Sequence, residues 1–102
     1  MKIDFIINVD QLCVINASWI FITRITEPTR EAKVVVSVLK EVAVKFQRKA
    51  IAKADAKKPF KIALDYYEAH YLERFLLQVR LLDSYNNNVL RHIIFQLNQK
   101  LC

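Results

Sequence analysis

Ile3-Asp4-Phe5-Ile6-Ile7-Asn8-Val9-Asp10-Gln11 and Phe60-Lys61-Ile62-Ala63-Leu64-Asp65-Tyr66-Tyr67-Glu68 follow one pattern. In each, apolar side chains alternate over about five positions, the period of a strand with one buried face. Each alternation ends on a helix-capping Asn or Asp, and Gln or Glu follows three residues later at the spacing of a capping box. The second stretch lies 57 residues after the first, Asp65 falling on Asn8. The pattern predicts two diverged copies of one strand-helix-helix unit.

Outward from these stretches, Lys2 to Ile7 reads as a strand with Ile3, Phe5 and Ile7 on its inner face and Lys2, Asp4 and Ile6 on its outer one. A helix from about Val9 to Ile25 carries Leu12, Ile15, Trp19 and Ile22 on one stripe, widened by Val14, Ile20 and Phe21. Pro28 marks a turn, with Thr26 or Glu27 as the expected cap of the next helix. That helix, about Thr29 to Ala54, turns Val35, Val38, Leu39, Val42, Phe46 and Ile51 inward. After Lys57-Lys58-Pro59 a second strand runs from Phe60 to Leu64, and Asp65 caps a helix from about Tyr66 to Leu82 built on Ala69, Leu72, Leu76 and Val79. Asp83-Ser84 separates it from a last helix, Tyr85 to Leu101, with Val89, Leu90, Ile93, Ile94, Leu97 and Leu101 inward. The expectation is a helix-dominated α+β fold in one domain, 1–102. Its two units, 1–56 and 57–102, would pair their short strands within the chain or across a dimer.

Composition narrows function by exclusion. The chain has 102 residues, 54% hydrophobic and 25% charged, which is globular in character. So apolar a chain of this length favours self-association, a dimer first, with Leu12, Trp19 and Phe21 as the expected interface. There is no glycine at all, which removes phosphate-cradling glycine loops and dinucleotide fingerprints. The longest nearly apolar run, Leu12 to Ile22, is broken by Asn16 and Ser18 and falls short of the roughly 20 residues of a membrane span. Asp4 and Asp10 interrupt what a signal peptide would need, so a cytoplasmic location and no membrane partner are expected. Cys13 and Cys102 are spaced for neither a disulfide framework nor a metal pair. His70 has Glu73 and Arg74 as helical neighbours but lacks the Glu-x-x-His arrangement of helix-bundle metal sites. Tyr66, Tyr67 and Tyr71 are expected at the core edge. No serine, cysteine or lysine stands beside a candidate base, so neither an enzyme nor a cofactor, metal or small-molecule substrate is inferred.

Charge is the remaining signal. Lys40, Lys45, Arg48, Lys49, Lys53, Lys57, Lys58 and Lys61, set against Glu41 and Asp55, carry the whole formal charge of +6. On a helix Lys45, Lys49 and Lys53 stand four apart with Arg48 beside them, a stripe suited to a phosphate backbone. The plain alternative is a solvated helix end whose cations complement the C-terminal dipole. A nucleic-acid-binding protein using Lys45, Arg48, Lys49, Lys53, Lys57, Lys58 and Lys61 is the leading expectation. The other is a protein-interaction or assembly module of a phage or mobile element, in which the lysines serve only solubility.

A short strand, a capped helix, a brief turn and a second helix in a basic chain resemble the ribbon-helix-helix DNA-binding proteins, here as two units in tandem. The resemblance implies an antiparallel ribbon entering the major groove, with the start of each second helix near a phosphate. Lys2, Asp4 and Ile6, with Lys61 and Ala63, would form the outer ribbon face, and Thr29 and Ser84 would lie near phosphates.

Overall fold

The computed structural model describes residues 2–25, 28–79 and 84–101. Strand β1 (Lys2–Ile7) leads into α1 (Val9–Ser18), a 3-10 segment (Trp19–Arg24) and α2 (Arg30–Ala52); β2 (Phe60–Asp65), α3 (Tyr66–Gln78) and α4 (Ser84–Leu101) follow. The fold is a helix-dominated α+β arrangement of two strand-helix-helix units. Their strands pair with each other inside the one chain, antiparallel, with Lys2 opposite Asp65 and Ile7 opposite Phe60.

Both helix starts rest on their expected caps. Asn8 Oδ1 accepts from the Gln11 N–H at 2.8 Å, and Gln11 Oε1 accepts from the Asn8 N–H at 3.0 Å. At α3 the Asp65 N–H donates to Glu68 Oε1 at 2.8 Å. Each reciprocal contact satisfies amides that the first helical turn leaves unpaired and turns the chain sharply out of its strand.

The central ribbon pair is Phe5 opposite Ile62, the two positions that the 57-residue offset equates. A local two-fold axis through this pair therefore relates the strands. It extends into the helices that follow: Leu12, Ile15, Ser18, Trp19 and Ile22 are buried, and so are their counterparts Ala69, Leu72, Phe75, Leu76 and Val79. In the second helices the match shifts. Val38, Leu39, Val42, Ala43, Phe46 and Ala50 of α2 face the core as Val89, Leu90, Ile93, Ile94, Leu97 and Leu101 of α4 do, 51 residues later. The register has changed by six residues between the strands and the second helices, and the first unit's connection includes the six-residue 3-10 segment Trp19–Arg24.

That segment corrects the expectation of one helix from Val9 to Ile25. Ser18 Oγ donates to the Ile15 carbonyl at 2.5 Å and Thr23 Oγ1 to that of Ile20 at 2.7 Å, so side chains compete with the α-helical ladder three residues back. Among β-branched Ile20, Ile22 and Thr23 the tighter 3-10 winding results. The cap of α2 is Thr29, whose Oγ1 accepts from the Ala32 N–H at 3.1 Å; Thr26, Glu27 and Asp83 lie outside the described residues. Ile51, expected inward, is 81% exposed, because in the last turn of α2 it is Ala50, one residue earlier and so about 100° round the helix, that packs on the core. Helix α3 ends at Gln78, with Val79 extended; Arg80, Leu81 and Leu82 lie outside the described residues.

The core beneath the ribbon is layered with aromatic rings. The Trp19 indole stacks between Phe46 and Phe75, each at 5.7 Å, and Phe46 meets Phe5 edge-on at 6.0 Å. This run of four rings ties β1, the 3-10 segment, α2 and α3 together.

Helix α4 holds β1 along its free edge. The Gln96 carboxamide accepts from the Ile6 N–H at 2.7 Å and donates to the Ile6 carbonyl at 3.0 Å, giving both backbone groups the partners that a strand edge lacks. Gln96→Leu is expected to lower stability by about 1–2 kcal/mol, the net worth of two such hydrogen bonds. Urea denaturation measures this, and an unchanged midpoint would mean that the clasp contributes nothing in solution.

Candidate nucleic-acid interface

The seven basic residues singled out in the sequence separate into one that is engaged inside the structure and six that reach its surface. Lys45 Nζ lies 2.7 Å from Glu68 Oε1. Glu68 is almost wholly enclosed, its side chain 2% exposed, whereas the lysine side chain is 40% exposed. The hydrogen bond to Glu68 raises the Lys45 pKa above the ordinary lysine value, burial opposing it. Lys45 therefore stands on α2 as the counter-charge of the α3 capping residue rather than as a free cation of the stripe. The sequence showed Glu68 as a capping residue, but the lysine that neutralises it lies 23 positions away and carried no local mark.

Arg48 and Lys49 follow Lys45 on α2, and all three line an open depression with Ala52, Ile62 and Ala63. The Lys53 ammonium lies 5.9 Å from the centre of the Phe60 ring, at the start of β2. Lys57 and Lys58 are exposed on the connection between α2 and β2, and Lys61 is exposed on β2. The structure thus places these residues in one neighbourhood: α2's last turns, the connection, and the strand it leads into.

The outer row of the ribbon has a different character. Lys2, Asp4 and Ile6 alternate outward on β1, and Lys61, Ala63 and Asp65 on β2, giving two cations and two carboxylates. Lys2 and Asp65 pair loosely at 3.6 Å, and Asp4 stands across from Ala63. Positive charge consequently flanks the ribbon along β2 rather than covering its face. Thr29 spends its hydroxyl oxygen on capping α2, and exposed Ser84 is the first residue of α4.

The residues expected at a dimer interface lie as follows. Leu12 and Trp19 are buried in the core among this chain's own strands and helices. Phe21 is half-buried, with the Arg24 guanidinium 4.6 Å above its ring. Tyr66 and Tyr67 are exposed and Tyr71 half-buried; the Tyr66 hydroxyl donates to the Leu101 carbonyl at 2.7 Å. Cys13 is a free, exposed thiol, and Cys102 lies outside the described residues. Among the described residues no three His, Cys, Asp or Glu side chains are grouped to hold a metal, and no helix is long and apolar enough to cross a membrane.

No protein-family description, curated protein or solved structure matches this chain.

Proposed function

We propose that this chain binds nucleic acid, laying the basic flank of its ribbon along the phosphate backbone. The observation that carries the reading is the depression shared by Arg48 and Lys49 of α2 and Ala63 of β2. It sets part of the helix stripe against one side of the ribbon, and the connection with exposed Lys57 and Lys58 leads from that helix to exposed Lys61 on β2. The ribbon-helix-helix resemblance supports the same reading, with both strands of the ribbon supplied by one chain. The residues on the ribbon face argue for binding with little sequence preference: Asp4, Ile6 and Ala63 offer few donors to base edges, where discrimination is made. Affinity then comes from phosphate neutralisation and counterion release.

Fluorescence anisotropy with labelled duplexes of unrelated sequence tests this. Similar affinities are expected, falling steeply as salt is raised. Replacing Lys57, Lys58 and Lys61 together by Ala should flatten the log–log salt slope by about three, one for each lost phosphate contact. Because these side chains are exposed, stability should stay within about 0.5 kcal/mol. Failure of the unmodified protein to bind duplex or single strand at about 50 mM salt would overturn the proposal, since even non-specific electrostatic binders register there. A protein-interaction module would then be the better account.

A further inference from the structure

The two edges of the ribbon are finished differently. Gln96 takes both outward backbone groups of Ile6, which fixes Lys2, Asp4 and Ile6 as the β1 positions whose N–H and C=O turn away from β2. In an antiparallel ladder directly opposed residues share this property, so Lys61, Ala63 and Asp65 turn theirs to the free edge of β2. The Asp65 N–H agrees, since it leaves the ladder for Glu68. Ala63 lies between, and among the described residues nothing accepts from its N–H.

Internal symmetry explains why this position is bare. The 57-residue offset of the strands equates Ala63 with Ile6, and the 51-residue offset of the second helices equates Lys45 with Gln96. The side chain placed to cover Ala63 is therefore Lys45, and Glu68 draws its ammonium away at 2.7 Å. What remains beside Ala63 is the depression with Lys45, Arg48 and Lys49 on its α2 wall, the Lys45 ammonium being held by Glu68.

We propose that this bare edge is a seat for one phosphate of the nucleic-acid backbone, with the Ala63 N–H, the Arg48 guanidinium and the Lys49 ammonium donating to its non-bridging oxygens. The proposal rests on the nucleic-acid reading above and specifies its contact point. Charge complementarity selects the occupant: Arg48, Lys49 and Ala63 line one depression in which Lys45 is already neutralised by Glu68. An added acidic peptide strand fits less well. Strand addition needs a run of free edge groups, whereas Glu68 occupies the Asp65 N–H and α2 stands alongside the edge. Asp4, across from Ala63 on the outer face, repels phosphate from the ribbon's centre and so favours the edge.

The test is an amide NMR titration of the full chain with a short mixed-sequence duplex, with a polyglutamate peptide of equal charge in parallel. The Ala63 amide proton should move downfield over the duplex concentrations at which anisotropy reports binding. Arg48→Ala with Lys49→Ala should weaken binding by about tenfold or more and abolish that shift, whereas Lys57→Ala with Lys58→Ala should weaken binding but keep it. Asp4→Asn should tighten binding. Ala63→Pro removes only a donor that points off the ladder, a replacement that edge strands tolerate, and should weaken binding if the variant folds. Duplex binding with an unmoved Ala63 amide would overturn the seat alone. The same shift with polyglutamate at lower concentration would assign the edge to an acidic peptide instead. No binding of any nucleic acid would remove the seat together with the functional reading.

Discussion

Phe5→Asp is expected to leave the chain unfolded at room temperature. Phe5 is 0% exposed, sits at the centre of the ribbon opposite Ile62, and meets Phe46 edge-on. Removing a buried phenyl ring from a packed core costs about 3–5 kcal/mol, and a carboxylate without a partner in the same place adds the penalty of burying a charge. A chain of this length has about 5–15 kcal/mol of total stability, so the substitution consumes most or all of it. One position along, Ile6 is 53% exposed, and Ile6→Asp should leave folding nearly intact. Circular dichroism and urea denaturation of the two variants make the comparison. A cooperative Phe5→Asp transition near that of the unmodified protein would contradict the inward placement of Phe5, and an unfolded Ile6→Asp would contradict the register.

Lys45→Met is expected to destabilise the protein by about 2–3 kcal/mol. Removing one member of a buried ion pair costs about 3–5 kcal/mol because the other charge is left without compensation. The lower figure allows for solvent screening at Lys45, which is partly exposed. Glu68→Gln should cost less, since its amide oxygen can still accept from the Asp65 N–H. Combining the two substitutions should recover part of the Lys45→Met loss, because no buried charge then stands alone. The pH dependence has a definite sign. Pairing with Glu68 raises the lysine's folded-state pKa above its unfolded value. The pair's contribution is thus complete below the ordinary lysine pKa and is lost as pH rises through the raised one. The stability gap between the unmodified protein and Lys45→Met should be full at neutral pH and shrink in strong alkali. A gap absent at neutral pH, or constant into strong alkali, would mean that the pair does not act as described.

The Lys45 result also governs how nucleic-acid binding is measured. A variant lacking Lys45 would lose affinity by loosening the α2–α3 contact, so a decline in binding would not identify a phosphate contact. Arg48, Lys49, Lys57, Lys58 and Lys61 form no ion pair among the described residues and report on binding more directly.

By itself the sequence determined the elements and their repetition. The alternations at Ile3 to Ile7 and Phe60 to Leu64, the caps at Asn8 and Asp65, and the inward stripes of α2 and α4 are all local, because strand pleat, helix period and capping involve residues a few positions apart. The 57-residue offset was legible for the same reason, as two copies of one local pattern. Tertiary structure alone decided what met across distance. Alternation cannot distinguish a strand paired within its own chain from one paired across a dimer, so only the fold placed Phe5 against Ile62 and enclosed Leu12 and Trp19 within a single copy. A lysine four residues from the next cation looks the same whether it reaches water or a carboxylate on another helix. Lys45 met Glu68, Gln96 met Ile6 ninety residues away, and the Ala63 amide was left bare, because long side chains take the partner that packing brings within reach.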